Sequence, residues 1–252
     1  MQATAYRWNQ TQAAVDYDAA APQIHPHYER VQDAVLAALS LAIDGPGSVV
    51  DLGGGSGRLA ERVLESFPGS RVTIVDPSAS FLSLARERLT RFGDRFRCVR
   101  ARVQEPWLCD ALRELLGGHI DAIVSTSALH HLEGDEKSAA FKLCHNLLHE
   151  GGVFVNGDEY RPPSDVAYRD LLEHWGEHMD SSLAAGLIPE SFRGVIAKWR
   201  ERNLEGFGGP RQSGDDCHET TEEQTARLYG AGFKRVEKPW EEDLWAVLVA
   251  RR

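Results

Sequence analysis

Asp51 and Asp76 each close a β-branched run, Val49-Val50 before the first and Val72-Thr73-Ile74-Val75 before the second. Between them lies Gly53-Gly54-Gly55-Ser56-Gly57. A strand that stops at a glycine turn and restarts as a helix gathers backbone amides beside a strand-end carboxylate. Glycines at 53 and 55 allow positive φ and let a ligand approach the main chain closely. Asp76, at the end of the next strand, is spaced to accept hydrogen bonds from ribose hydroxyls. Gly55-Ser56-Gly57-Arg58-Leu59-Ala60 formally fits a dinucleotide fingerprint, but the register speaks against it. With Gly53 as the first glycine after the strand, the third position falls on Arg58, and Asp51 sets a carboxylate beside a pyrophosphate. A ligand with cationic groups and a ribose diol suits the two acids better.

A second group of reactive side chains is Ser125-Thr126-Ser127-Ala128-Leu129-His130-His131. A histidine titrates near neutral pH and can take a proton from a nucleophile; the alternative is that both rings only pack and hydrogen-bond at a helix start. Asp158-Glu159-Tyr160-Arg161 offers acids for a cationic substrate and an arginine for an anionic one, or else capping and surface pairing. His174-Trp175-Gly176-Glu177-His178 has the H-x-x-E-H spacing of some zinc enzymes. Gly176 is a poor helix residue and no third ligand is evident, so the polar face of a helix is the better reading and no metal is expected.

These residues need a scaffold, and the hydrophobic pattern supplies one. Strands are expected over 48–52, 71–75, 96–100, 120–125 and 152–157, alternating with helices over 57–66, 78–91, 107–116 and 135–148. That alternation predicts an α/β fold with a doubly wound, mostly parallel sheet whose ligands bind at the carboxyl ends of the strands. Ahead of it, Val31, Val35, Leu36, Leu39 and Ile43 recur at helical spacing, giving a helix over about 28–42 that ends at Gly45-Pro46-Gly47. The preceding stretch carries Tyr6, Trp8 and Tyr17. Residues 164–205 read as two helices broken at Gly186 to Pro189, and 206–216 as a loop. Thr220-Thr221-Glu222-Glu223 then opens a helix. Strands near 233–236 and 244–249 finish the chain. The implied organisation is a helical lid over 1–45, a ligand-binding core over 46–160, a helical cap over 161–216, and a closing helix and strand hairpin over 217–252.

Asp51 to Gly57, with the His-His segment and Leu147-x-x-Gly-Gly before the fifth strand, resembles the class I S-adenosylmethionine-dependent methyltransferases of small-molecule type. The likeness covers roughly residues 48–157; a looser one, to carboxy-S-adenosylmethionine synthases, involves Tyr17-Asp18 and Tyr28-Glu29. The resemblance implies a seven-stranded Rossmann-like sheet ending in a hairpin, and S-adenosylmethionine as cofactor. It implies cofactor contacts at Asp51, Gly53, Gly55, Asp76, Pro77, Ser125, Thr126 and Tyr28. An acid usually follows the third strand; here Arg102 stands in its place, so Val103 and Gln104 are the expected substitutes. His130, His131, Tyr17 and Glu159 are the catalytic candidates, and Tyr17, Tyr28 and Trp175 are expected to roof the sulfonium. The implied reaction is methyl transfer to a small nucleophile. Alternatives are carboxylation or cyclisation of the cofactor, an RNA substrate, and a non-catalytic cofactor-binding protein.

A chain of 252 residues with 42% hydrophobic content can bury a full core. A net charge of −10 opposes nucleic-acid binding unless basic residues cluster. Arginines do recur from Arg86 to Arg102, interrupted by Glu87 and Asp94, which fits a solvated helix face. Four cysteines without C-x-x-C spacing, no signal peptide and no long apolar run predict a cytoplasmic protein away from membranes, as monomer or homodimer.

Overall fold

The computed structural model describes residues 11–45 and 47–252. Tyr6, Trp8 and Pro46 lie outside the described residues. Five parallel strands follow the expected alternation: β1 (Ser48–Leu52), β2 (Arg71–Asp76), β3 (Phe96–Arg100), β4 (Ala122–Thr126) and β5 (Val153–Glu159). The antiparallel hairpin of β6 (Arg235–Glu242) and β7 (Trp245–Arg251) completes a seven-stranded sheet, in the order β3-β2-β1-β4-β5-β7-β6.

Alternation along each strand divides the core between two faces, because successive side chains point to opposite sides. Val49, Ile74, Val124 and Val155 pack with Val35, Leu39, Val63 and Leu82, which come from α2 (Tyr28–Ala42), α3 (Arg58–Ser66) and α4 (Ala79–Leu89). Val50, Leu52, Ile123 and Phe154 pack with Leu112, Phe141 and Leu228, from α5 (Leu108–Leu116), α6 (Gly134–Leu147) and α9 (Thr221–Ala231). The central strands are buried on both faces, so each holds consecutive apolar residues (Val49-Val50, Ala122-Ile123-Val124 and Val153-Phe154-Val155) before its polar carboxyl end.

The stretch before α2 is itself helical: α1 (Thr11–Ile24) carries Pro22 in its last turn, and Pro26 falls in the break before α2. The two cap helices are α7 (Asp165–Ala184) and α8 (Arg193–Arg200), and α8 runs on into one π-turn over 201–205. Tyr168, Leu172, Trp175, Met179 and Ile196 join the apolar cluster that holds Ile24 and Trp245, so lid, cap and sheet share one core. The last strands run longer than the pattern predicts, to Glu242 and Arg251. β6 lies at the sheet edge, where Pro239 and a register shift between Glu237 and Trp240 cost little ladder pairing.

Candidate active site

The glycine turn after β1 is shaped by what lies behind it. The Gly53 amide donates to the Val75 carbonyl at 2.8 Å, which fixes the turn against β2. Gly53 has φ +69°, and a Cβ there would stand 2.5 Å from that of Ala128. A Cβ on Gly54 would meet the Asp51 carboxylate at 2.6 Å. Asp51 therefore sits under the turn, 1% exposed, with the Ala60 amide beside it. Burial, reinforced by the charge of Asp76, pushes its carboxyl up to about 7. Asp76 accepts from the Ser78 amide at 2.8 Å and from the Gly55 amide at 3.1 Å. Burial raises its carboxyl to about 6, and those two amides moderate the shift.

A cavity of about 530 Å³ opens over this turn and runs along the strand ends. Gly53, Gly55, Asp76, Pro77, Val103, Gln104 and Thr126 line it, as do Tyr17 and Tyr28 from the lid and His131. Asp51, Ser125, His130 and Glu159 do not reach its wall. Ser125 is turned into the sheet, its hydroxyl donating to the Leu52 carbonyl at 2.8 Å. The Gln104 amide donates to Glu136 at 3.2 Å. Arg102, at the usually acidic position, lines the cavity.

Helix α1 is held to the glycine turn by ion pairs. Asp18 of α1 accepts from the Ser56 hydroxyl, from Arg58 Nε at 2.9 Å and from Arg88 Nη2 at 2.8 Å. Burial opposes its charge, but Arg88, Ser56 and Arg58 outweigh that and hold its carboxyl below the usual range. Trp175 is not over the cavity. Its ring packs on Trp199 and Trp245, and its Nε1–H donates to the Ile24 carbonyl at 2.7 Å. Burying a large indole between lid, cap and hairpin gains more than exposing it to a wet pocket.

The two histidines part ways on the short turn after β4. The His130 ring is 4% exposed. Its Nδ1 lies 2.7 Å from Asp158 Oδ1 and also against Glu159, while its amide donates to Asp158 Oδ2 at 3.0 Å. Burial disfavours a charge on this ring, yet Glu159 and Asp158 overcome it and hold His130 protonated well above the ordinary histidine range. The same pairing drives Glu159 well below its usual value despite burial. Glu159 also accepts from Trp245 Nε1 at 3.1 Å and faces His25 Nδ1 at 3.5 Å. His25 Nε2 meets the Tyr17 hydroxyl at 3.1 Å, so a polar chain links the cavity wall to Glu159.

His131 faces the cavity. Its Nδ1–H donates to the Asp215 carbonyl at 3.2 Å, which leaves Nε2 as the basic nitrogen of the neutral ring. Asp216 Oδ1 stands 3.6 Å from the same Nδ1. Burial opposes the Asp216 charge, but His218, His131 and His130 around it bring its carboxyl down to about 2. Burial itself keeps His218 at about 4, hence neutral. The loop bearing these groups is hydrogen-bonded to the His-His turn: Gly214 donates to the His131 carbonyl at 2.8 Å and Cys217 to that of His130 at 2.9 Å. Buried Lys137 reaches the Cys217 carbonyl from α6. Sequence reasoning read 206–216 as loop and missed Asp216 and His218; the Asp215-Asp216-Cys217-His218 run was the available signal.

Imidazole and carboxylate groups of His130, His131 and Asp216, and of His130, Glu159 and His218, come within ligand distance of one another. His130 is bound as a cation to its two acids, which makes it a poor metal ligand. In the H-x-x-E-H segment, His174 and Glu177 are exposed, and His178 Nε2 donates to the Gln23 carbonyl at 2.8 Å.

Residues 50–154 match the family model of a methyltransferase domain. The sheet order, hairpin and glycine turn are those of the class I S-adenosylmethionine-dependent methyltransferase fold. Among relatives, it is 33% identical over 117 residues to ribosomal RNA small subunit methyltransferase H of Mycolicibacterium gilvum, covering 46% of this chain and 31% of that protein. It is 29% identical over 170 residues to an uncharacterized methyltransferase of Bacillus cereus, covering 68% and 71%. The chain thus spans about a third of the first relative's length. An O-methyltransferase family protein from Burkholderia thailandensis shares the fold at TM-score 0.64 and 17% identity, over 98% of this chain and 61% of that one. Human N-acetylserotonin methyltransferase, in complex with its cofactor, does so at TM-score 0.57 and 16% identity, over 88% and 51%.

Proposed function

We propose that this protein binds S-adenosylmethionine in the cavity over the glycine turn and methylates a small-molecule nucleophile held beside His131. The observation that carries the reading is one cavity joining Asp76 to His131. Each Asp76 oxygen accepts a backbone amide and keeps a lone pair, which suits a ribose diol. The bare backbone of Gly53 and Gly55 allows close approach. Bound there, the cofactor supplies a methyl group on a sulfonium. Tyr17 and Tyr28 present aromatic groups to a cation. His131 Nε2 accepts the proton of the attacking group, while the Asp215 carbonyl and Asp216 orient and stabilise the ring. His130 serves as a fixed cation that holds Asp158 and Glu159 in place.

A small substrate is favoured over RNA by charge. Net charge is −10, and part of the basic run is engaged by partners within the chain, while Arg86, Arg97, Arg100 and Arg102 stay exposed. Arg88 binds Asp18, Arg91 binds Glu61, and Arg95 donates to the carbonyls of Leu64, Phe67 and Ser70. Mass spectrometry of turnover with a panel of small acceptors tests the reading. S-adenosylhomocysteine with a product heavier by one methyl supports it. Methylthioadenosine, a modified sulfonium, or a salt-dependent shift of RNA at physiological ionic strength overturns it.

A further inference from the structure

The cap reaches the candidate active site through one turn. Beyond α8 the backbone widens into the π-turn of 201–205, closed by the Gly206 amide donating to the Glu201 carbonyl at 2.8 Å. Single π-turns are frequent at functional sites. Two consecutive residues of this one each hold one of two consecutive acids. Arg202 Nη1 stands 2.9 Å from Asp215 Oδ1, and Asn203 Nδ2 donates to Asp216 Oδ2 at 2.8 Å. Both acids flank the same imidazole nitrogen. His131 Nδ1 lies 3.2 Å from the Asp215 carbonyl and 3.6 Å from Asp216 Oδ1. Helix α7 joins from the other side, where the Tyr168 hydroxyl meets His218 Nδ1 at 2.7 Å.

These contacts fix direction as well as position. Asp215 is pinned at both carboxylate oxygens, Oδ1 by Arg202 and Oδ2 by the Gln212 amide at 3.2 Å, while its backbone carbonyl is turned to His131. A carboxylate is planar, so holding Asp216 Oδ2 on Asn203 decides where Oδ1 points. That oxygen lies between His131 Nδ1 and His130 Nε2, at 3.6 Å and 3.9 Å. Asn203 is fully buried, and its own Oδ1 has no hydrogen-bond partner among the described residues. A leucine of similar volume would fill the position without the cost of an unpaired buried oxygen. The amide is explained by the carboxylate it aims. We propose that Arg202 and Asn203 are positioning residues for His131, acting through Asp215 and Asp216 to keep the hydrogen of the neutral ring on Nδ1. The inference rests on the reading of His131 as the proton acceptor. It makes Nε2 the nitrogen that receives the substrate's proton in every turnover.

Nitrogen-15 NMR of the imidazoles in the full chain, at a pH where the His131 ring is neutral, tests this without substrate or cofactor. The His131 signals are identified by their loss in His131→Asn. The parent should show one tautomer, with the hydrogen on Nδ1. Asn203→Leu should show a mixture of tautomers, and a kcat lower by about tenfold with the affinity for S-adenosylhomocysteine kept. Arg202→Gln, at an exposed side chain, should move the same signals in the same direction, and it decides the matter where Asn203→Leu does not fold. A parent ring with its hydrogen on Nε2 overturns the proposal. So do His131 signals left unchanged by the variants, even where the melting temperature falls, because the contacts would then only fasten cap to loop. A fixed Nδ1–H tautomer in a protein that transfers no methyl group supports the positioning and refutes the reaction.

Discussion

Asp51 and Asp76 illustrate how burial separates two acids that the sequence presents alike. Asp76 reaches the cavity, and Asp76→Ala should weaken binding of S-adenosylhomocysteine by about 1.5–3 kcal/mol, measurable by calorimetry. Asp51 lies beneath the turn, and its effect should appear in stability. Its folded carboxyl titrates near 7, above the ordinary 3.8. Its contribution is therefore whole below about pH 4 and is lost as pH rises through about 7. Thermal melts of Asp51→Asn and the parent across that range should diverge in the variant's favour as pH rises; parallel curves would refute the assignment. The histidines should separate too. His131→Asn should lower turnover by about 10²-fold with the melting temperature kept. His130→Asn leaves two buried carboxylates facing each other, and should cost about 3–5 kcal/mol of stability in a denaturant titration.

At the scale of elements, α1 is fastened to the glycine turn and α4 by charge. Asp18→Asn keeps the shape of the side chain and removes its attraction for Arg58 and Arg88. Cofactor affinity should fall by about 1.5–3 kcal/mol, with faster proteolysis of α1 and an unchanged sheet. Unaltered affinity and unaltered proteolysis would show that the latch is idle. The glycine turn is less forgiving. Gly53→Ala combines a left-handed backbone with a collision against Ala128, and should abolish cofactor binding more readily than it unfolds the domain. The loop over 212–218 acts as the third wall. Its bonds to the His-His turn and to Lys137 explain how a stretch of polar sequence becomes an ordered part of the pocket.

For the whole molecule, charge and shape point the same way. A chain of net charge −10 should show no RNA shift at 0.15 M salt, a condition where exposed charges are screened within about 8 Å. Among the described residues, no helix is long and apolar enough to cross a membrane. The shared core of lid, cap and sheet predicts one cooperative unfolding transition, seen as coincident denaturation curves by tryptophan fluorescence and circular dichroism. Separate transitions would make the cap an independent unit.

What the chain by itself determined is the scaffold and the residues at one end of the candidate site. Strand and helix periods, the glycine turn, and the acids at the ends of β1 and β2 are local signals, written in neighbouring residues, so the sheet and the Asp76 end of the cavity were legible. What only the tertiary structure decided is which of several similar side chains face the cavity. His130 and His131 are adjacent, yet one is locked between Asp158 and Glu159 and the other meets the pocket. Trp175 looked like part of a roof and turned out to be a bolt between lid and hairpin. Asp216, His218 and the Asp18 latch join residues far apart in the chain. Their roles depend on burial and on partners brought together by packing, and neither quantity is carried by sequence spacing.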